Sequence, residues 1–164
     1  MNISLRIRKF KTGDIDKVLE IEAQAFPKTA YPKEILLTYA KSLPDGFIIA
    51  ETGEEIVGYM IFDDNGHVHS AAVKASQRRK GFGRMMFGHA SRYTKARLWV
   101  EVRSKNREAI HFYKSLGMKI IGKVPDYYDT DDALLMVLNH REGGRENGKD
   151  PAKESVSSRK TDVG

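Results

Sequence analysis

The chain has no cysteine among its 164 residues. That excludes disulfides, a thiolate nucleophile and any cysteine-based metal centre. It also lacks an apolar run near the ~18 residues that a membrane-spanning helix needs, although 40% of its residues are hydrophobic. The opening segment MNISLRIRKF carries charges where a secretory signal would carry its apolar stretch. A cytoplasmic protein with no membrane partner is expected. Glutamine is scarce, at two residues, while charged residues reach 30%, a balance that leans towards proteins working at high temperature. From Asn139 to Gly164 sizeable apolar residues are almost missing, Val156 and Val163 excepted. Burial there cannot offset the entropy of ordering, so 139–164 is expected to be a disordered polar tail and 1–138 a single folded domain.

Positive charge is abundant and unevenly placed. The net charge is +6, and between Lys74 and Lys105 ten Lys/Arg face a single acid, Glu101. Such a field suits a polyanion, nucleic acid included, or is a solvated basic face.

Apolar spacing predicts the elements. SLRIRKF alternates as a strand. Ile15, Val18, Leu19 and Glu22 to Ala25 have helical spacing behind the candidate caps Thr12 and Asp14. Pro32 starts a second helix with Ile35, Leu36 and Tyr39 on one side. GFIIAE, EIVGYMIF and HVHSAAV form a meander joined by turns at Thr52-Gly53 and at Asp63 to Gly66. Phe82, Met85, Met86, His89, Ala90 and Tyr93 then define one helix face, RLWVEV a strand, and Asn106 to Leu116 a helix closed by Gly117. MKIIGKV and DALLMVL are two further strands, with PDYYDTD as the loop between them. The order β-α-α-β-β-β-α-β-α-β-β is an α/β fold on a mixed sheet.

QRRKGFGR, from 77 to 84, joins a strand to a helix. Gly81 and Gly83 allow positive φ and close backbone approach, and the helix start offers N–H groups and the positive dipole end to an anion. Arg78, Arg79, Lys80 and Arg84 add charge. No Gly-Lys-Ser/Thr follows, which excludes a P-loop, and Met86 stands where a third Rossmann glycine would be. The bunching at one turn favours a compact polyanion over an extended nucleic acid, and no specific nucleic-acid partner is expected.

RRKGFG fits the pattern Arg/Gln-x-x-Gly-x-Gly/Ala and resembles the acetyl-CoA pyrophosphate loop of the GNAT acetyltransferases. LWVEVRSKNREAIHFYKSLGM and YYDTDDALLM resemble the matching segments of ribosomal-protein alanine N-acetyltransferases and other N-terminal acetyltransferases. The resemblance runs in element order from about Ile3 to Leu138 and is close in residues from His67 to Met136. It implies a GNAT fold, a mostly antiparallel sheet with about four helices and two splayed central strands. It implies acetyl-CoA as acetyl donor, held by Ala71, Ala72, Val73, Arg78 to Arg84 with Phe82 among them, Asn106 and Tyr113. It implies Val73 N–H as oxyanion donor, Tyr113 as the acid that protonates the leaving thiolate, and Glu101 as the base, acting through water.

Strand alternation puts Trp99, Glu101 and Arg103 on one face, where Arg97 or Arg103 could equally pair with Glu101. His67 and His69 share a strand face and form a second candidate base. As metal ligands they lack a third partner in the sequence, and no metal is expected. The resemblance further implies a peptide N-terminus as substrate, clamped by Phe26, Pro27 and Tyr31 of one loop and by Tyr127 and Tyr128 of another. Lys28 stands where the bacterial enzymes have a tryptophan, which leaves the preferred first residue open. A lysine side chain or a polyamine is the alternative acceptor, with Asp126, Asp129, Asp131 and Asp132 as a candidate acidic pocket. A non-catalytic nucleic-acid or ribosome-binding module is a third reading, and ribosome association in addition to catalysis is left open.

Overall fold

A computed structural model describes residues 5–128 and 131–138, except for the side chain of Tyr128. The expected tail over 139–164 lies outside the described residues.

The elements run in the expected order. Strand β1 (Leu5–Lys9) leads through a short 3-10 turn at Thr12–Asp14 into α1 (Ile15–Ala25) and α2 (Lys33–Ser42). The meander is β2 (Phe47–Thr52), β3 (Glu55–Phe62) and β4 (Val68–Val73). Helix α3 (Phe82–Thr94), β5 (Leu98–Arg103), α4 (Arg107–Ser115), β6 (Lys119–Tyr128) and β7 (Asp131–Leu138) complete the domain. Strands β1 to β4 form one antiparallel sheet in chain order, and β5-β7-β6 form another. The two meet at a single parallel bridge, His67 to Trp99, where Trp99 N–H donates to Gly66 O at 2.9 Å. Beyond it β4 and β5 have no ladder, so a notch opens between them.

One core lies between the sheets and α3 and includes Met60, Met86, Phe87, Val100, Tyr113 and Met136. A second lies under α1 and α2 and includes Val18, Leu36, Phe47 and Tyr59. Two details differ from the apolar spacing. Phe87 is buried, whereas Met85 and Tyr93 are 42% and 44% exposed, so the buried face of α3 is turned towards Phe112 and Tyr113. Ile35 at the start of α2 is likewise exposed, and Leu36 carries the packing.

The expected PDYYDTD loop is a correction. Its first half belongs to β6, because the register breaks between Val124 and Tyr128 and the ladder resumes at Tyr128 with Asp131. Asp126 sits at φ 52°, and its N–H donates to Asp132 Oδ1 at 2.8 Å. An irregularity of this kind lengthens a strand while turning its side chains. Here it brings Tyr127 onto Glu101.

Candidate active site

The glycine turn is built by local conformation. Gly81 caps the start of α3 at φ 89°, and Arg79 at φ 64° also lies in the left-handed region. Gly83 differs from the expectation, since its φ is not positive. A Cβ there would lie 2.4 Å from Phe112 Cζ, so the absent side chain makes room for that ring.

Around this turn is a pocket of about 530 Å3 lined by Val73, Arg78, Arg79, Gly81, Arg84 and Phe112, among others. The first turn of a helix has N–H groups without intrahelical partners, and the dipole favours an anion there. Three arginines and an apolar wall of Phe82 and Phe112 fit a pyrophosphate attached to a less polar arm. Lys80 turns aside, bonding Gln77 at 3.1 Å.

Strand β4 supplies the floor. Lys74 N–H donates to Val57 O of β3 at 2.7 Å. By strand alternation the backbone of Val73 faces the opposite edge, towards the notch. Arg78 Nε donates to Val73 O at 3.2 Å, which fixes that carbonyl and ties the glycine turn to the strand end. The Val73 N–H lies on the same edge. Ala71 and Ala72 are buried beside it, paired with Met60 and Tyr59.

Glu101 is only 1% exposed. One of its oxygens is hydrogen-bonded to His67 Nε2, and the other accepts from Tyr127 Oη at 2.9 Å. A buried carboxylate must have such partners. The His67 ring is stacked on Trp99, with centroids 4.0 Å apart and 11° between planes. Burial, and then the charge of Glu101, push the Tyr127 phenol well above its ordinary pKa, so it stays a hydrogen-bond donor.

Rings continue from His67 to His69, Tyr39 and Tyr31, with centroids 4.3, 5.2 and 5.7 Å apart. This row links the α1–α2 loop to His67 and, through it, to Glu101. Phe26 and Tyr31 are buried in that loop, while Pro27 is exposed.

Two expected residues do not line the glycine-turn pocket. Tyr113 is fully buried, with ring centroids 5.9 Å from Phe87 and 5.5 Å from Phe112, and does not line the glycine-turn pocket. Asn106 caps α4, its Oδ1 accepting from Ala109 N–H at 3.0 Å.

Three groups escaped the sequence. Glu22 is fully buried, accepting from Tyr31 N–H at 2.6 Å, from the Tyr59 hydroxyl and from Ser70 Oγ at 3.4 Å. It fastens the α1–α2 loop to β3 and β4. An acid on the apolar face of an amphipathic helix is the signal that marks it. Asp63 is the second, with Oδ2 2.9 Å from His69 Nε2. The turn at Asp63 to Gly66 was visible, but its fold-back onto β4 was not, so a third ligating group does stand beside His67 and His69. Tyr39, partly buried against the second core and with its ring near those of Tyr31 and His69, is the third, since the sequence marked it only as a helix-face residue.

The description "Acetyltransferase (GNAT) family" matches residues 15–118, and the chain belongs to that family. It is an acetyl-CoA-dependent N-acetyltransferase. An uncharacterized N-acetyltransferase of Methanocaldococcus jannaschii is 36% identical over 140 residues, covering 80% of this chain and 89% of that protein. An N-alpha-acetyltransferase of Sulfurisphaera tokodaii is 32% identical over 152 residues, covering 80% and 90%. Among solved structures, Chaetomium thermophilum Naa20 in complex with a bisubstrate analogue superposes with a TM-score of 0.71 at 25% identity, covering 88% of this chain and 94% of that one. No helix among the described residues is long and apolar enough to cross a membrane.

Proposed function

We propose that the chain transfers acetyl from acetyl-CoA to the N-terminal α-amine of a peptide or protein, by direct attack in a ternary complex. The observation that carries this reading is the buried Glu101, held between His67 and Tyr127 where the sheets begin to part. An α-amine has a pKa near 8 and a lysine near 10.4, so at pH 7 about a tenth of the former is neutral and under about a thousandth of the latter. A carboxylate base assisted by an imidazole is matched to the former.

Glu101, directly or through water, takes the amine proton, and His67 and Tyr127 hold the carboxylate in place. The amine nitrogen bonds to the acetyl carbonyl carbon while Val73 N–H stabilises the oxyanion. The C–S bond then breaks, and Tyr113 returns a proton to the thiolate. Arg78, Arg79 and Arg84 hold the pyrophosphate, with the Gly81 turn beneath it. The N-alpha-acetyltransferase named in Sulfurisphaera tokodaii and the bisubstrate complex of Naa20 support both the acceptor and direct attack.

The polyamine alternative loses support from the acids themselves. Asp131 is engaged by Ser104 and by Lys105 N–H at 3.0 Å, and Asp132 pairs with Lys123 at 3.0 Å. Asp129 lies outside the described residues.

The test is CoA release with peptides varied at residues one and two, alongside internal-lysine peptides and free polyamines. Faster turnover on free α-amines supports the proposal, and a preference for polyamine or internal lysine overturns it.

A further inference from the structure

The β3–β4 hairpin gathers a second constellation, which shares His67 with the site described above. Asp63 at its start and His67 and His69 at its return each offer one ligating atom, and these atoms all lie within 4.8 Å of one another. We propose that Asp63, His67 and His69 form a binding site for a divalent transition cation of the zinc class.

The donor set and its spacing carry the proposal. Tetrahedral zinc with bonds of about 2.0–2.1 Å keeps its donors roughly 3.3 Å apart. Asp63 Oδ2 and His69 Nε2 are already 2.9 Å apart, and the His67 donor lies within 4.8 Å of both. Two imidazoles and one carboxylate suit zinc, cobalt, nickel or copper far better than magnesium or calcium. Asp63 is held in place, because its Oδ1 accepts from Asn65 N–H at 2.9 Å and His67 N–H at 3.2 Å, which leaves Oδ2 for a ligand. The side chains of Asp63 and His69 are 23% and 13% exposed, enough for an ion to enter.

The surroundings of His67 supply an independent observation. A ligating histidine almost always gives its other ring N–H to a carboxylate, a backbone carbonyl or a water. Glu101 occupies His67 Nε2 in this way, which leaves Nδ1 to a metal. Charge agrees as well. Asp63 pairs with His69 and the buried Glu101 with His67, so two carboxylates flank the two imidazoles. A divalent cation balances them. Three protein ligands leave one position for water.

The consequence for activity rests on the proposed function. A cation on His67 makes its Nε2–H a stronger donor to Glu101 and so weakens the carboxylate as a base, and occupancy inhibits acetyl transfer.

The untagged full chain, stripped with chelator, is titrated with cobalt(II) and followed by its ligand-field absorption, and with zinc by calorimetry. One saturable equivalent with a tetrahedral cobalt spectrum is expected. His69→Gln removes a ligand without touching the turn that Asp63 organises, and should abolish the spectrum. Asp63→Asn should do the same, with circular dichroism confirming its fold. Glu101→Gln should weaken binding about 10–100-fold, as loss of an outer carboxylate does. Absence of a saturable equivalent, or binding unchanged by His69→Gln, overturns the site. Because the readout is binding without turnover, its failure leaves the acetyl-transfer proposal standing, and the reverse also holds.

Discussion

His67 and Glu101 stand on different sheets, 34 residues apart in the chain, and are joined by a hydrogen bond beside the one backbone bridge between the sheets among the described residues. Glu101 is thus held by one strand and oriented from the other. Glu101→Gln keeps the shape and loses the proton acceptor. The expected loss in kcat is about 10²–10⁴-fold at neutral pH. It should shrink above pH ~8, where the α-amine arrives neutral without help. Near-normal turnover of this variant at pH 7 removes Glu101 from the chemistry.

Tyr113 makes the contrasting case. If its phenol supplies the thiolate proton, the defect of Tyr113→Phe persists at high pH until the phenol of the wild type itself ionises. The ring keeps its contacts with Phe87 and Phe112, so thermal stability should change little. A pH–rate profile of the two variants side by side separates acid from base.

Gly83→Ala should act through Phe112. The new methyl lands on the ring, which also lines the glycine-turn pocket. The helix-propensity gain of up to ~1 kcal/mol offsets part of a repacking cost of ~1–3 kcal/mol. Melting temperature should therefore fall modestly, while KM for acetyl-CoA rises several-fold. Wild-type KM would show that the ring has room to move elsewhere.

Stability should fall in acid through Asp14. Burial raises the pKa of its carboxyl, but hydrogen bonds from Arg8 and from Lys11 N–H outweigh this and hold it below the ordinary value. A folded-state pKa below the unfolded ~3.9 adds stability that is full above that value and is lost as pH falls through the folded one. Asp14→Asn should lower the melting temperature at pH 7 and flatten its decline between pH 5 and 2. An unchanged acid limb would show that other carboxylates, such as Glu51, dominate it.

The element order and the glycine turn were legible because they rest on local spacing. Gly81 at a helix start and Asn106 three residues before Ala109 declare themselves within one turn of chain. Glu101 was legible as the lone acid in a basic field, but its partners were not. Tyr127 reaches it only through the irregularity at Asp126, and His67 only through the single bridge to Trp99. Glu22 and Asp63 failed for the same reason. A carboxylate's burial depends on donors brought from strands far along the chain, and no periodicity encodes that.

The lone bridge at His67 and Trp99 also works as a fulcrum. From His67 to Val73 the strand extends for roughly 20 Å at about 3.3 Å per residue. A tilt of about 5° between the sheets would move Val73 by roughly 1.7 Å, more than the ~1 Å misplacement that can slow a reaction a hundredfold. On the proposed mechanism, stiffness at the stack of His67 on Trp99 governs how far apart the two walls of the cleft stand.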